Sequence, residues 1–194
     1  MTVLHLRHIP RSRSMRILWL LEEIGCDYKL EVVEKELSLD EALAPIRRVP
    51  ALQDGDAKMH ETGAMTEWLC ETRAPDLWRA PGSKGRVGWL DWLHFGETLV
   101  NHAAAVNRRI LQPATPPETS REMQRLQHDL EILHDWMKES EWLLSSFSGA
   151  DCHLGYSVWI ASQVNGLDSH PGLQAYLARC SARPAFKRAE DLSH

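Results

Sequence analysis

Two serines, Ser12 and Ser14, stand between a short apolar run and a stretch with helical spacing. A serine at a helix start can accept a free backbone N–H of the first turn and so cap the helix. Beside the positive end of a helix, the same hydroxyl can instead donate to a bound thiolate and favour the anion. Further along, Val49 and Pro50 lead into the apolar segment Ala51 to Gln53. Proline normally enters a sheet only at the start of a strand or on an edge. Were the bond before Pro50 cis, the Val49 backbone could face outward and pair with an extended peptide, as an added strand would. Glu61 and Thr62 open the next helical pattern. Acidic and hydroxyl residues suit a helix N-terminus for electrostatic reasons alone. Glu61 could equally receive an ammonium while the Thr62 hydroxyl and the helix N–H groups hold a carboxylate. An α-amino-acid head group presents both charges side by side.

These residues need elements to hold them. Val3 to Leu6 reads as a buried strand. Ile17, Leu18, Leu20, Leu21 and Ile24 follow at helical spacing, and Gly25 supplies the stop. Tyr28 to Val32 alternates like a strand, and Glu34 to Ala44 has room for one irregular helix. Ala51 to Gln53 and Ala57 to Met59 flank Asp54-Gly55-Asp56, a hairpin pattern. Ala64, Met65, Trp68 and Leu69 form another amphipathic face. The order is β-α-β-(α)-β-β-α within about eighty residues. Beyond a Pro/Gly-rich stretch between Pro75 and Gly85 the chain reads as helical. One helix carries Trp89, Trp92, Leu93 and Leu99; a second carries Met123, Leu126, Leu130, Leu133, Trp136 and Met137. The prolines between Gln112 and Pro117 must interrupt any helix there.

Bulk composition limits the function classes. The 194 residues carry a net charge of −5, against the basic balance of a nucleic-acid surface. Four cysteines, Cys26, Cys70, Cys152 and Cys180, show no C-x-x-C and no metal-ligand spacing, which suits reduced thiols in a cytosolic protein. The ten histidines include no H-E-x-x-H, so no metal is expected. No apolar run reaches the length of a membrane span and the first residues lack a signal peptide, so a cytoplasmic location without membrane association is expected.

Taken together, the motifs resemble the cytosolic glutathione S-transferases. The likeness rests on residues 12–25, S-R-S-M-R-I-L-W-L-L-E-E-I-G, on V-P-A-L-Q-D-G-D at 49–56, and on H-E-T-G-A-M-T-E-W-L at 60–69. It continues in S-G-A-D at 148–151, H-P-G-L at 170–173 and R-P-A-F at 183–186. The first block is most similar to bacterial and fungal members with serine at the strand-to-helix turn. The resemblance implies an α/β thioredoxin-like domain at 1–76, a linker at 77–86 and an all-α helical-bundle domain at 87–194. It implies that Ser12, with Ser14 in reserve, hydrogen-bonds the glutathione sulfur, and that Val49 pairs with the cysteinyl backbone before a cis Pro50. Glu61 and Thr62 would hold the γ-glutamyl head group, and Arg48 would lie near the glycyl end. Ser148 and Asp151 match a capping box that serves folding, which their S-x-x-D spacing supports independently. Arg47 stands where glycine is common, Thr62 where serine is commoner, and Arg11 where one bacterial class carries cysteine.

The implied activity is conjugation of glutathione, as co-substrate, to a small hydrophobic electrophile, in a homodimer. Trp92, Phe95, Leu99 and His102 could line the electrophile site, or belong to the core of the helical domain. A free thiol has a pKa of about 8.5. Lowering it by about 1 to 2 needs a preference for the anion of roughly 1.4–2.7 kcal/mol. One charge-assisted hydrogen bond beside a helix N-terminus is of that size. A glutathione-dependent isomerase or disulfide reductase would use the same thiol site. A non-catalytic binding or assembly module would keep the fold.

Overall fold

Leu4 and Leu6 of β1 (Leu4–His8) have no exposed surface, and of its five residues His5 alone is exposed, the pattern of a strand inside a sheet. In the computed structural model, which describes residues 3–33, 49–111 and 121–193, β1 is central in a four-stranded sheet. Its strands are ordered β2-β1-β3-β4, with β2 at Tyr28–Val32, β3 at Ala51–Asp54 and β4 at Ala57–Met59. β2 runs parallel to β1, whereas β3 pairs antiparallel with β1 and with β4. The parallel pair needs a crossover, which α1 (Met15–Ile24) supplies. That helix stops at Gly25, whose left-handed φ of 68° lets its N–H reach the Leu21 carbonyl at 3.0 Å. The Asp54–Ala57 turn closes the expected hairpin, and α2 (Thr62–Arg73) follows β4. The irregular helix expected over 34–44 lies outside the described residues.

The chain packs as two compact units: Met1–Ala80 together with Ser181–His194, and Pro81–Cys180. Within the first, α2 is tied to the hairpin through the Arg73–Asp54 ion pair at 2.6 Å and the Trp68 indole N–H on Asp54 at 3.0 Å. The last helix, α7 (Pro184–Leu192), also belongs here. Buried Phe186 meets Trp19 of α1 edge-on at 4.9 Å, and the Arg183 guanidinium forks onto both carboxylate oxygens of Glu23 at 2.6 and 2.8 Å. The chain thus returns its C-terminal helix to α1, a pairing of residues some 160 positions apart that no local pattern announces.

The second unit is helical: α3 (Arg86–Leu111), α4 (Arg121–Met137), α5 (Gly149–Asn165) and α6 (Pro171–Ala182). α3 is described as far as Leu111, and the prolines expected to interrupt it lie outside the described residues. It packs tightly on α5 at Gly96, where an added Cβ would stand 2.8 Å from His153 Cδ2, so only glycine fits without a shift. The Ser148–Asp151 capping box is formed. Asp151 has no exposed surface, and burial pushes its pKa up to about 6 against the hydrogen bonds that favour the carboxylate. Its oxygens accept from the Ser148 N–H at 2.8 Å, the Ser148 hydroxyl at 3.0 Å, the Leu143 N–H at 3.0 Å and the Tyr176 hydroxyl at 3.2 Å. Among the described residues, no helix is long and apolar enough to cross a membrane.

Removing that carboxylate strands several buried donors, each worth about 1–3 kcal/mol when unsatisfied. Asp151→Ala is expected to cost at least about 3 kcal/mol in urea unfolding, and Asp151→Asn, which keeps one acceptor, clearly less. Equal losses for the two would show that the hydrogen bonds are not what Asp151 contributes.

Candidate functional site

Strand pairing brings the three sequence motifs of the first unit to one end of its sheet. β1 runs out at His8, and because Arg7 pairs with Ala51, Val49 and Pro50 adjoin the exit from β1. Leu52 pairs with Met59, so the chain leaving β4 through His60 and Glu61 emerges at the same end. Side chains seal the junction: Ile9 and Val49 pack against buried Val33 and Ala51. With its side chain turned into this cluster, Val49 makes no main-chain hydrogen bond among the described residues. The Val49–Pro50 peptide is cis.

The turn from β1 into α1 is tightly specified. Arg11 adopts a positive φ of 58°, a conformation that costs a side-chain-bearing residue roughly 1 kcal/mol or more. Ser12 follows, half-buried, and Ser14 at the N-cap is fully buried. Ser14 does not cap the helix with its side chain. Its Oγ instead lies 2.7 Å from His8 Nδ1 and 2.7 Å from Ser12 Oγ, with the Ile9 N–H and carbonyl at 3.3 and 3.2 Å. Ser12 Oγ also accepts from the Ser14 N–H at 3.3 Å. His8 has no exposed surface, and burial lowers its pKa to about 4, so the imidazole is neutral at physiological pH.

At the start of α2, Glu61 is the N-cap, exposed, and its carboxylate has no partner among the described residues. Thr62 is buried, and its Oγ1 accepts from Arg16 Nη1 at 3.1 Å. Arg16 has no exposed surface and sits in the first turn of α1. This hydrogen bond joins the N-termini of α1 and α2 directly. The site therefore gathers two helix N-termini and a buried guanidinium, all positive, beside an exposed carboxylate, an arrangement suited to a ligand with both anionic and cationic groups.

The sequence profile of the glutathione S-transferase N-terminal domain matches residues 6–76, the segment that carries all of these groups. Glutathione S-transferase 3 of Schizosaccharomyces pombe is 30% identical over 105 residues, covering 50% of this chain and 41% of that protein. The matched stretch is thus less than half the length of that relative. A glutathione transferase from Methylococcus capsulatus superposes with a TM-score of 0.84 at 25% identity, covering 98% of each chain. A Pseudomonas putida glutathione transferase, crystallised with one glutathione disulfide bound per subunit, gives 0.86 at 21% identity over 98% of this chain and 91% of its own. Residues 6–76 match the glutathione S-transferase N-terminal domain, and the described chain shares the fold of the glutathione transferases.

Other expected glutathione S-transferase positions meet different fates. Arg48 lies outside the described residues. In the helical unit, Trp92, Phe95, Leu99 and His102 share one face of α3, but Leu99 has no exposed surface and belongs to the core. Half-buried His102 donates from Nδ1 to the Glu122 carboxylate at 2.7 Å, with Asp129 at 3.8 Å, both on α4. Trp92 stacks edge-on with Phe95 at 5.7 Å and tilts against Trp136 of α4 at 5.2 Å. The four cysteines are free, and burial raises the Cys70 thiol to about 12, so it is no nucleophile at neutral pH. Among the described residues no cluster of three or more His, Cys, Asp or Glu is placed to hold a metal. Sequence reasoning passed over His8 and Arg16. The available signal was a polar side chain at a position the periodicity assigns to the interior.

His8 makes the stability of this unit acid-sensitive. Between about pH 6.5 and pH 4 the unfolded imidazole takes up a proton that the folded one refuses, so stability falls as pH falls through that window. The linkage amounts to at most about 3 kcal/mol. The unfolding free energy of the wild type relative to His8→Asn is expected to drop by up to that amount over this range. A pH-independent difference would show that His8 is not held neutral.

Proposed function

We propose that this protein is a glutathione transferase that binds reduced glutathione at this end of the sheet and delivers its thiolate to a small hydrophobic electrophile. The observation that carries the reading is the convergence of Ser12, the cis Val49–Pro50 peptide and the Glu61–Thr62 pair around two helix N-termini. Ser12 donates to the glutathione sulfur; its partial exposure favours it over Ser14, which is buried beneath it. The Val49 main chain pairs with the cysteinyl residue as a short added strand. Glu61 receives the γ-glutamyl ammonium. Thr62 and the first N–H groups of α2 receive the adjoining carboxylate, in the field of the Arg16 guanidinium. Arg48 serves the glycyl end.

Transfer then needs little further chemistry. The sulfur anion attacks the electrophilic carbon, a C–S bond forms, and the leaving group departs with its electron pair. The protein raises the thiolate fraction and holds the sulfur in place. Trp92 and Phe95, aromatic and half-exposed on α3, supply apolar surface for the electrophile. The likeness to the glutathione transferases carries the further proposals of a homodimer and a cytoplasmic location.

Titration calorimetry with glutathione and a transfer assay with an aryl halide test this reading. Glu61→Ala is expected to weaken glutathione binding about tenfold or more, the equivalent of one lost charge-assisted contact. Ser12→Ala is expected to keep most of the binding and lower kcat/KM for the aryl halide by about tenfold to a hundredfold. Unchanged binding in the first variant, or unchanged turnover in the second, would overturn the assignment. Binding without turnover in the wild type would leave a glutathione-binding module.

A further inference from the structure

The half-buried Ser12 hydroxyl is the outer end of a hydrogen-bond chain that begins at the buried His8 imidazole and passes through Ser14. Each contact along the chain is 2.7 Å, short enough that the protons must be ordered. Two orders are possible, and they differ in what Ser12 offers to a ligand. If His8 carries its proton on Nε2, Ser14 donates to Nδ1, Ser12 donates to Ser14, and Ser12 turns a lone pair outward. If His8 carries its proton on Nδ1, every direction reverses, and Ser12 turns its proton outward.

The surroundings decide between the two. His8 Nε2 is buried and has no hydrogen-bond partner among the described residues. An orphaned buried N–H is rarer than an under-used acceptor, so the proton belongs on Nδ1. The remaining protons of the chain then find acceptors. Ser14 Oγ accepts from His8 Nδ1–H and from the Ile9 N–H, which uses both lone pairs, and its own proton goes to Ser12 Oγ at 2.7 Å rather than to the Ile9 carbonyl at 3.2 Å. Ser12 Oγ accepts that proton and the Ser14 N–H, again two lone pairs filled. One group is left over: the Ser12 O–H.

We propose that His8 and Ser14 are positioning residues that fix Ser12 as a hydrogen-bond donor toward the ligand sulfur, so that the site accepts a thiolate and turns away a neutral thiol. The inference rests on the reading of Ser12 as the thiol-contacting residue. No proton leaves the chain in this role: the imidazole is neutral and stays so, and the thiol proton goes to solvent. A neutral imidazole buried without a carboxylate partner is a poor base but a good fixed donor. The arrangement also accounts for the failure of Ser14 to cap α1, since its hydroxyl is committed elsewhere.

Two measurements test the proposal. Imidazole nitrogen NMR on the ligand-free wild type is expected to show His8 protonated at Nδ1; protonation at Nε2 would overturn it without any variant. The second is the pKa of bound glutathione, read from thiolate absorbance, with S-methylglutathione titrated alongside as a ligand that has no thiol. Ser12→Ala, His8→Leu and Ser14→Ala are each expected to raise the bound thiol pKa by about 0.5 to 1.5 while S-methylglutathione affinity stays within about twofold. His8→Asn, which keeps an N–H where Nδ1 stood, is expected to restore most of the shift. A rise in Ser12→Ala but none in His8→Leu or Ser14→Ala would overturn the positioning role and leave Ser12 in place. No rise in Ser12→Ala would overturn both. Loss of S-methylglutathione binding in His8→Leu and Ser14→Ala, with His8→Asn no better than His8→Leu, would assign the pair a merely structural role.

Discussion

The hydrogen bond from buried Arg16 to Thr62 is the contact on which the site depends. Arg16 lies in the first turn of α1 and Thr62 opens α2, so one 3.1 Å bond holds two helix N-termini together. The arrangement is electrostatically one-sided. Two helix N-termini contribute partial positive charge, and the guanidinium adds a full one with no exposed surface of its own. Burying a charge is costly unless it is hydrogen-bonded. A fold that keeps such a concentration of positive potential has a natural complement in an anion, and the exposed Glu61 carboxylate beside it complements a cation. Glutathione carries carboxylates, an ammonium and an ionisable thiol on one flexible backbone.

The sheet makes this convergence possible. Antiparallel pairing of β3 with both β1 and β4 means that the exit from β1, the entry to β3 and the exit from β4 share one end. Three segments separated by tens of residues are thereby placed as neighbours. Packing of Ile9 and Val49 on Val33 and Ala51 seals the seam with apolar contact, which leaves the polar atoms of the turn facing outward or bonded to one another. The His8–Ser14–Ser12 chain is an instance of the second case. A polar network inside a protein is stabilising only when its members are satisfied, and here each proton but the outermost has a partner.

The helical unit is organised around a buried carboxylate. Asp151 accepts from groups on the loop before α5 and from Tyr176 on α6, so the capping box gathers a turn and two helices as well as ending a helix. Close approach of α3 and α5 at Gly96 is the second constraint. Against that frame the α3 face bearing Trp92, Phe95, Leu99 and His102 is largely spoken for. Leu99 is core, and His102 is held by carboxylates of α4. A helical face with apolar spacing can serve packing or ligand contact, and spacing alone does not distinguish the two.

Local chemistry was legible in the sequence wherever a motif acts over a few residues. The strand–helix alternation, the Gly25 stop, the hairpin at Asp54–Asp56 and the Ser148–Asp151 box all follow from backbone preferences within one or two turns. Ser12, Val49, Glu61 and Thr62 were recognisable as residue types able to bind a thiol peptide, because capping and anion-binding chemistry has short-range signatures. What the sequence left open was which serine faces outward and what the buried polar side chains do. Those answers depend on register and burial, which long-range pairing decides. Arg16 reads as an interruption in an apolar helix until Thr62, 46 residues away, arrives beside it. His8 reads as a strand residue until α1 folds back and brings Ser14 within 2.7 Å. The docking of α7 on α1 is likewise a tertiary decision, since the attraction between Arg183 and Glu23 exists only once the chain has returned.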